Sequence, residues 1–315
     1  MLEKWFKLKE NNTTAKTEVM AGITTFMTMA YILAVNPTML AAAGMDKTAV
    51  LIATALASFI GTMAMALLAN YPFALAPGMG LNAYFAYTVC GAMGYSWQVA
   101  LMAVFVEGLV FIVLSLTNVR EAIFNAIPLN LKKGVSVGIG LFIAFIGLQN
   151  AKIVVGGATL VQLFSLDAVE GATMNDAGIC VLLAIIGVFI TAILVLKQVK
   201  GNILWGILIT WLLGIICQFT GLYVPNAEIG YYSLLPDFSA GLSIPSLAPI
   251  FMKLDFAAIP IAEFVVIIFA FLFVDIFDTL GTLIGVASKA DMLDDEGRLP
   301  RIKGALMADA VATTA

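Results

Sequence analysis

Runs of about 20 mainly apolar residues, each long enough to cross a hydrocarbon core as a helix, follow one another along this chain. They fall at roughly 17–40, 48–69, 78–93, 97–117, 131–149, 177–196, 202–221 and 259–287, and a ninth begins near Ile302. Hydrophobic residues make up 62% of the 315 and charged residues 11%, whereas a soluble domain carries about 25% charged residues. A water-soluble fold exposing that surplus would aggregate. The chain therefore reads as an all-α polytopic membrane protein.

The basic residues orient it. Lys4, Lys7, Lys9 and Lys16 precede the first run, Arg120, Lys132 and Lys133 follow the fourth, Lys197 and Lys200 the sixth, and Lys289, Arg298, Arg301 and Lys303 the eighth. If the spans alternate, only Lys47, Lys152 and Lys253 fall on the other side. Basic loops stay in the cytoplasm, so the N-terminus is expected there, in a multi-pass plasma-membrane protein. Residues 1–16 form no signal peptide and read as an interfacial segment. The amphipathic stretch 120–131, bounded by Pro128, reads as lying along the membrane surface. Residues 223–253, with Pro225, Pro236, Pro245 and Pro249, read as an outer loop. Residues 304–315 are apolar and small with no charged stop, so a longer parent chain is expected.

Some chemistries are excluded. Without histidine there is no His-ligated metal, Ser-His triad or histidine proton relay. Cys90, Cys180 and Cys217 lie far apart with no CxxC spacing, so they read as packing residues rather than zinc ligands or disulfides. No basic arm suggests nucleic acid. No cofactor or metal is expected.

The third run is irregular. Its sequence NYPFALAPGMGLN at 70–82 sets Pro72, Pro77, Gly78 and Gly80 in an apolar stretch, where continuous helix is disfavoured. Extended chain over 73–76 and a half-helix from about Gly78 are expected. Broken backbone at membrane depth is tolerated inside protein or beside a cavity, and transporters place substrate sites there. Asn82 falls in the first turn of the half-helix, where its amide offers a donor and an acceptor to a heterocycle edge. Capping the break, or bonding a neighbouring helix, is the alternative.

The eighth run, FLFVDIFDTLGT at 271–282, supplies the second signal. Asp275 lies roughly 18 Å along the helix from Glu263, near the midplane, and Asp278 shares its face at i+3. An ionised Asp there costs about 3 kcal/mol, so the pair faces a cavity or a partner. A carboxyl that can be neutral or charged suits proton coupling, while a protonated pair tying helices together remains the structural alternative. Glu107, Glu18 and Asp309 are weaker candidates without a fixed role. In the first run, Thr25, Thr28 and Tyr31 share a polar face before Asn36 and Pro37, although back-bonding to their own helix is the commoner fate of such threonines.

Three stretches carry a resemblance: FKLKENNTTAKTEVMAGITTFMTMAYILAVNP at 6–37, FALAPGMGLNAYFAY at 73–87 and FVDIFDTLGTLIGVA at 273–287. They resemble the nucleobase–cation symporter 2 family, in its AzgA-like branch of hypoxanthine, guanine and adenine permeases. The resemblance implies a UraA-like fold of fourteen spans in two inverted repeats of seven, with a core and a gate domain and short strands before half-helices three and ten. On this chain it implies a cytoplasmic segment 1–16, core spans over 17–117, gate spans over 118–221, an outer loop over 222–258 and an incomplete core segment over 259–315. It further implies that Asn82 and Asp275 contact a purine, that Asp278 tunes binding, and that Gly80 and Thr28 line the site. Proton symport, with Asp275 and Asp278 carrying the coupling, is implied as well. A homodimer is the assembly considered. The family's acidic residue in span ten lies beyond this chain, so the chain as given is expected to form the site only in part. An anion or amino-acid carrier of the same architecture is the runner-up, an intramembrane aspartyl protease the alternative from another class, and a purely structural protein the least favoured reading.

Overall fold

The structure is a computed structural model of the chain; it describes residues 5–11, 13–117, 119–168, 171–235, 245–256, 259–294 and 298–315. Lys4 and Pro236, used above, lie outside these residues. Among the described residues, six helical stretches are long and apolar enough to cross a membrane: Ala15–Ala41, Lys47–Ala69, Trp97–Leu116, Lys133–Asn150, Met174–Leu196 and Asn202–Phe219. Large apolar side chains such as Phe26, Phe59, Val113, Phe189 and Phe269 stand more than half exposed along these and the neighbouring helices, a surface suited to lipid rather than water.

The contacts of the chain fall into two compact units, Met1–Phe142 with Pro245–Ala315, and Ile143–Ile244. The first begins with α1 (Ala15–Met29) and α2 (Ile32–Ala41), which continue one run. The run is tightened where Leu33 and Ala34 donate to the carbonyls three residues back, Ala30 and Tyr31. Pro37 inside α2 lacks the donor that would complete the next turn. Asp46 caps α3 (Lys47–Ala64) by accepting from Ala49 N–H, and that bond with one from Thr48 holds its carboxyl below the usual range. α3 widens into a π-type turn at Met65–Ala69. Next come an extended stretch, the short α4 (Met79–Ala83) widening into π-type turns at Tyr84–Ala92, then α5 (Trp97–Leu116), α6 (Val119–Ala126) and α7 (Leu129–Asn150). The surface segment expected over 120–131 is thus largely α6 and its exit. After the loop the unit resumes with the long α10 (Ile261–Lys289) and ends with α11 (Ile302–Thr314).

The core of this unit gathers Met65, Ala69, Tyr71 and Phe73 against Leu280, Leu283, Ile284 and, from α11 and its approach, Leu299, Ala305 and Leu306. Tyr71 stacks on Phe73 with ring centroids 5.0 Å apart, its hydroxyl donates to the Pro300 carbonyl, and the Arg301 guanidinium lies 4.6 Å from its ring centre. Small residues let α11 approach this closely. A Cβ on Gly61 would lie 2.7 Å from that of Ala312, one on Gly108 would lie 3.0 Å from the Thr314 backbone, and one on Gly304 would strike the Leu68 carbonyl.

The second unit contains α8 (Ile179–Leu196), entered through a π-type turn at Met174–Gly178, and α9 (Asn202–Phe219). They form a helical hairpin with reciprocal notches. Thr191 and Thr210 each donate to the carbonyl of the glycine four residues back, Gly187 and Gly206. Each threonine also fills the space beside the other helix's glycine, Thr210 against Gly187 and Thr191 against Gly206. From α9, Trp211 donates to the Leu234 carbonyl and Gln218 to Ser233, pinning the following loop to the hairpin.

Two findings depart from the sequence reading. The chain is not all-α: Val154–Gly157 and Leu160–Leu163 form an antiparallel β-hairpin, β1 and β2, around Ala158 and Thr159. Its β-branched Val154, Val155 and Val161 favour extended backbone. Residues 73–76 are extended as expected, yet no strand pairs with them among the described residues. The Thr62 hydroxyl serves instead, donating to the Leu75 carbonyl and accepting from the Leu75 N–H at 3.2 and 3.0 Å. The contacts divide at 142/143, within α7. Val135, Ser136 and Ile139 of α7 pack beside Gly281, and the Ser136 hydroxyl donates to the Gly281 carbonyl.

Gly304→Ala should lower stability by about 1–3 kcal/mol, because its methyl meets backbone rather than a movable side chain. Gly22→Ala, at a helical glycine with nothing within 4 Å, should be neutral or gain up to about 1 kcal/mol. Thermal unfolding midpoints in detergent separate the two.

Candidate functional site

The polar groups of the first unit converge where the helices are broken. Gly78 turns the extended chain into α4, with its own backbone still extended (φ −72°, ψ 123°). A Cβ here would lie 2.6 Å from Asp278 Oδ2, so any larger residue would require that carboxylate to shift. The break in span three thus sits against the acidic face of α10. Tyr84, at the end of α4, meets Phe271 of α10 edge to face at 4.9 Å, which fixes the half-helix on the long helix.

Asn82 follows in the first turn, its N–H donating to the Gly78 carbonyl. Its side-chain amide donates to Asn36 Oδ1 at 2.6 Å, and Asn36 donates to Thr54 Oγ1 at 2.7 Å. Thr54 in turn donates to the Val50 carbonyl at 2.7 Å. Asn36 and Thr54 are buried and Asn82 half-buried. Three helical elements, α2, α3 and α4, are joined by this line of hydrogen bonds.

A second cluster lies on α10 and α11. Asp275, 4% exposed, lies 3.5 Å from the Thr279 hydroxyl and 3.4 Å from that of Thr313. The Thr279 hydroxyl also lies 2.9 Å from Asp309 Oδ2, and Thr313 donates to the Asp309 carbonyl. Two threonines thus link Asp275 and Asp309, and Asp278 lies three residues on from Asp275 in α10, with its carboxylate beside Gly78. Such a group binds hydrogen-bond donors and can share protons.

The other candidates are placed as follows. Gly80 lies within α4, where a Cβ would sit 3.8 Å from the Phe142 ring. Thr28 lies on α1, which buries none of its residues, and its hydroxyl donates to the Thr25 carbonyl at 2.7 Å. Thr25 likewise bonds Ala21, so both hydroxyls turn back on their own helix. Glu107 is fully buried in α5, beside the Gly108 contact with α11. Glu18 borders a separate cavity of about 580 Å³, shared with Phe6, Asn70, Tyr71 and Arg301, that contains none of the site residues. At the N-terminal end of α10, Tyr95 donates to the Glu263 carboxylate, and that bond holds the phenol above its usual pKa.

Sequence reasoning left Asn36, Thr54 and Thr313 without a role, and Asp309 without a partner. The only local signal was an asparagine ahead of Pro37 in an apolar run.

Residues 16–315 match the sequence model of a family described as a permease family. The chain is 51% identical over 313 residues to a Methanocaldococcus jannaschii protein described as a permease without a stated substrate. It is 40% identical over 314 residues to the adenine permease AdeP of Escherichia coli. It is 43% identical over 312 residues to the guanine/hypoxanthine permease PbuO of Bacillus subtilis. These alignments cover 99%, 99% and 98% of the chain but 66%, 65% and 67% of the relatives, so the chain spans about two thirds of their length.

Removing the hydroxyl that bridges two carboxylates and removing one of the charges should act in opposite directions. Thr279→Val should destabilise by about 1–3 kcal/mol, and Asp309→Asn should stabilise by relieving like-charge repulsion. Unfolding midpoints in detergent at neutral pH read both signs.

Proposed function

We propose a transport function on the premise that this chain belongs to the permease family, nucleobase–cation symporter 2: it takes up purine nucleobases. The observation that carries the reading is the half-helix bearing Asn82, set against the acidic face of α10. An amide offers a donor and an acceptor to a purine edge, and the neighbouring carboxylates accept ring N–H groups. The relatives named for adenine and for guanine and hypoxanthine support the substrate class. Membership of a permease family also displaces the intramembrane protease alternative.

In the mechanism we propose, a neutral purine binds Asn82 and Asp275, Asp278 tunes the interaction, and Gly80 and Thr28 line the site. A proton taken up on the carboxylates removes the cost of carrying a buried charge through the bilayer. A core formed by 17–117 and 259–315 then rocks against a gate formed by 118–221, within a fourteen-span whole. The division of contacts into two compact units is in keeping with such a scheme. The assignment of the N-terminus to the cytoplasmic side of the plasma membrane rests on the basic residues, and the homodimer is the assembly we put forward. The aspartates disfavour the anion carrier kept as runner-up, since they repel an anion unless protonated.

Radiolabelled hypoxanthine uptake by the full-length protein, in cells lacking their own purine carriers, tests the substrate and the site. We expect saturable uptake competed by guanine or adenine. At matched membrane expression, Asp275→Asn and Asn82→Ala should each reduce it about tenfold or more, a factor equal to 1.4 kcal/mol. Undiminished uptake in both variants removes the site. Absence of any purine uptake by the wild type removes the substrate and leaves the family.

Coupling is tested separately by a protonophore, which should collapse accumulation. Accumulation insensitive to it overturns proton symport while the binding site stands.

A further inference from the structure

We infer that Asn36 and Thr54 fix the orientation of the Asn82 amide, so that a ligand meets its carbonyl oxygen and must supply an N–H to it. The inference rests on the purine reading above for the identity of the ligand, and on the hydrogen-bond line alone for the orientation.

The sense of that line is set at its far end. The Val50 carbonyl can only accept, and Thr54 Oγ1 lies 2.7 Å from it. A threonine hydroxyl has a single proton, and it is used there. Toward Asn36 the same oxygen, again at 2.7 Å, has only lone pairs to offer, so Asn36 must turn its NH₂ to it. Asn36 is then left with Oδ1 on its other side, and the Asn82 contact at 2.6 Å must be made by the Asn82 NH₂. Asn82 Oδ1 is thereby turned away from Asn36 and is left to accept from a ligand. Turning Asn82 over would set two amide oxygens against each other in a buried place, and the relief would require Asn36 and Thr54 to turn as well.

Asn36 and Thr54 are accordingly positioning residues that determine specificity without touching the ligand. An amide free to turn accepts either polarity at a purine edge, whereas one locked in this sense discriminates against a ring nitrogen that has lost its proton or carries a substituent.

The experiment measures inhibition of hypoxanthine uptake by unlabelled hypoxanthine and by its 1-, 7- and 9-methyl derivatives, each lacking one N–H, in the full-length protein. Wild type should prefer hypoxanthine to at least one derivative. Thr54→Val should narrow that preference about tenfold, with maximal uptake at matched expression held, and Thr54→Ser should restore it. Asn36→Leu, which frees the Asn82 amide by another route, should narrow it in the same derivative and provides the reading if Thr54→Val does not reach the membrane. A preference unchanged in the variants, or a loss of maximal uptake with the preference intact, overturns the inference and leaves these residues structural. Failure of the wild type to take up hypoxanthine overturns the purine reading instead.

Discussion

A peptide group that leaves a helix within apolar surroundings still needs a hydrogen-bond partner, and that requirement organises the first unit. The chain leaves helix between Asn70 and Gly78, where Pro72 and Pro77 interrupt it. Thr62 reaches out from α3 to serve both polar groups of Leu75, and Tyr71 and Phe73 anchor the preceding residues in the core. Once the break is held, Gly78 can bring backbone against Asp278, and the half-helix carries Asn82 into the hydrogen-bond line that ends at Val50. The site is thus a product of the way the interruption is satisfied.

The acidic group follows the same economy. Asp275, Asp278 and Asp309 would repel one another if all were charged, and the two threonines between Asp275 and Asp309 lower the cost of keeping that pair close. α11 closes this group because alanine and glycine at its contacts let it lie almost against the backbones of α3 and α5. A bulkier α11 would hold Asp309 and Thr313 away from Asp275.

Much of this was legible along the chain. The lengths of the apolar runs located the helices, the Pro-Gly cluster located the break, and the i+3 aspartates located the acidic face. Other features depend on residues distant in sequence. Nothing near Thr62 points to Leu75, and nothing near Asn36 points to Thr54 or Asn82, since the partners meet only after the helices pack. The β-hairpin was hidden by its size: four residues per strand, joined by Ala158 and Thr159 rather than by an Asn-Gly or Asp-Gly pair, leave little pattern to read. Span one showed its threonines plainly but not that Thr25 and Thr28 would bond their own turns.

The seating of α11 also bears on how the molecule is made. The helices that receive it end at Leu116, and it begins at Ile302, so about 190 residues are synthesised in between. At about 5–20 residues per second, α3 and α5 wait roughly 10 to 40 seconds for this neighbour. During that interval the segment 143–244 can be finished as a unit, while Gly61 and Gly108 stand as an open slot in the membrane. The chain therefore acquires its acidic group late, and an insertion machinery that keeps the slot from closing on lipid or on another chain would govern the yield of active protein.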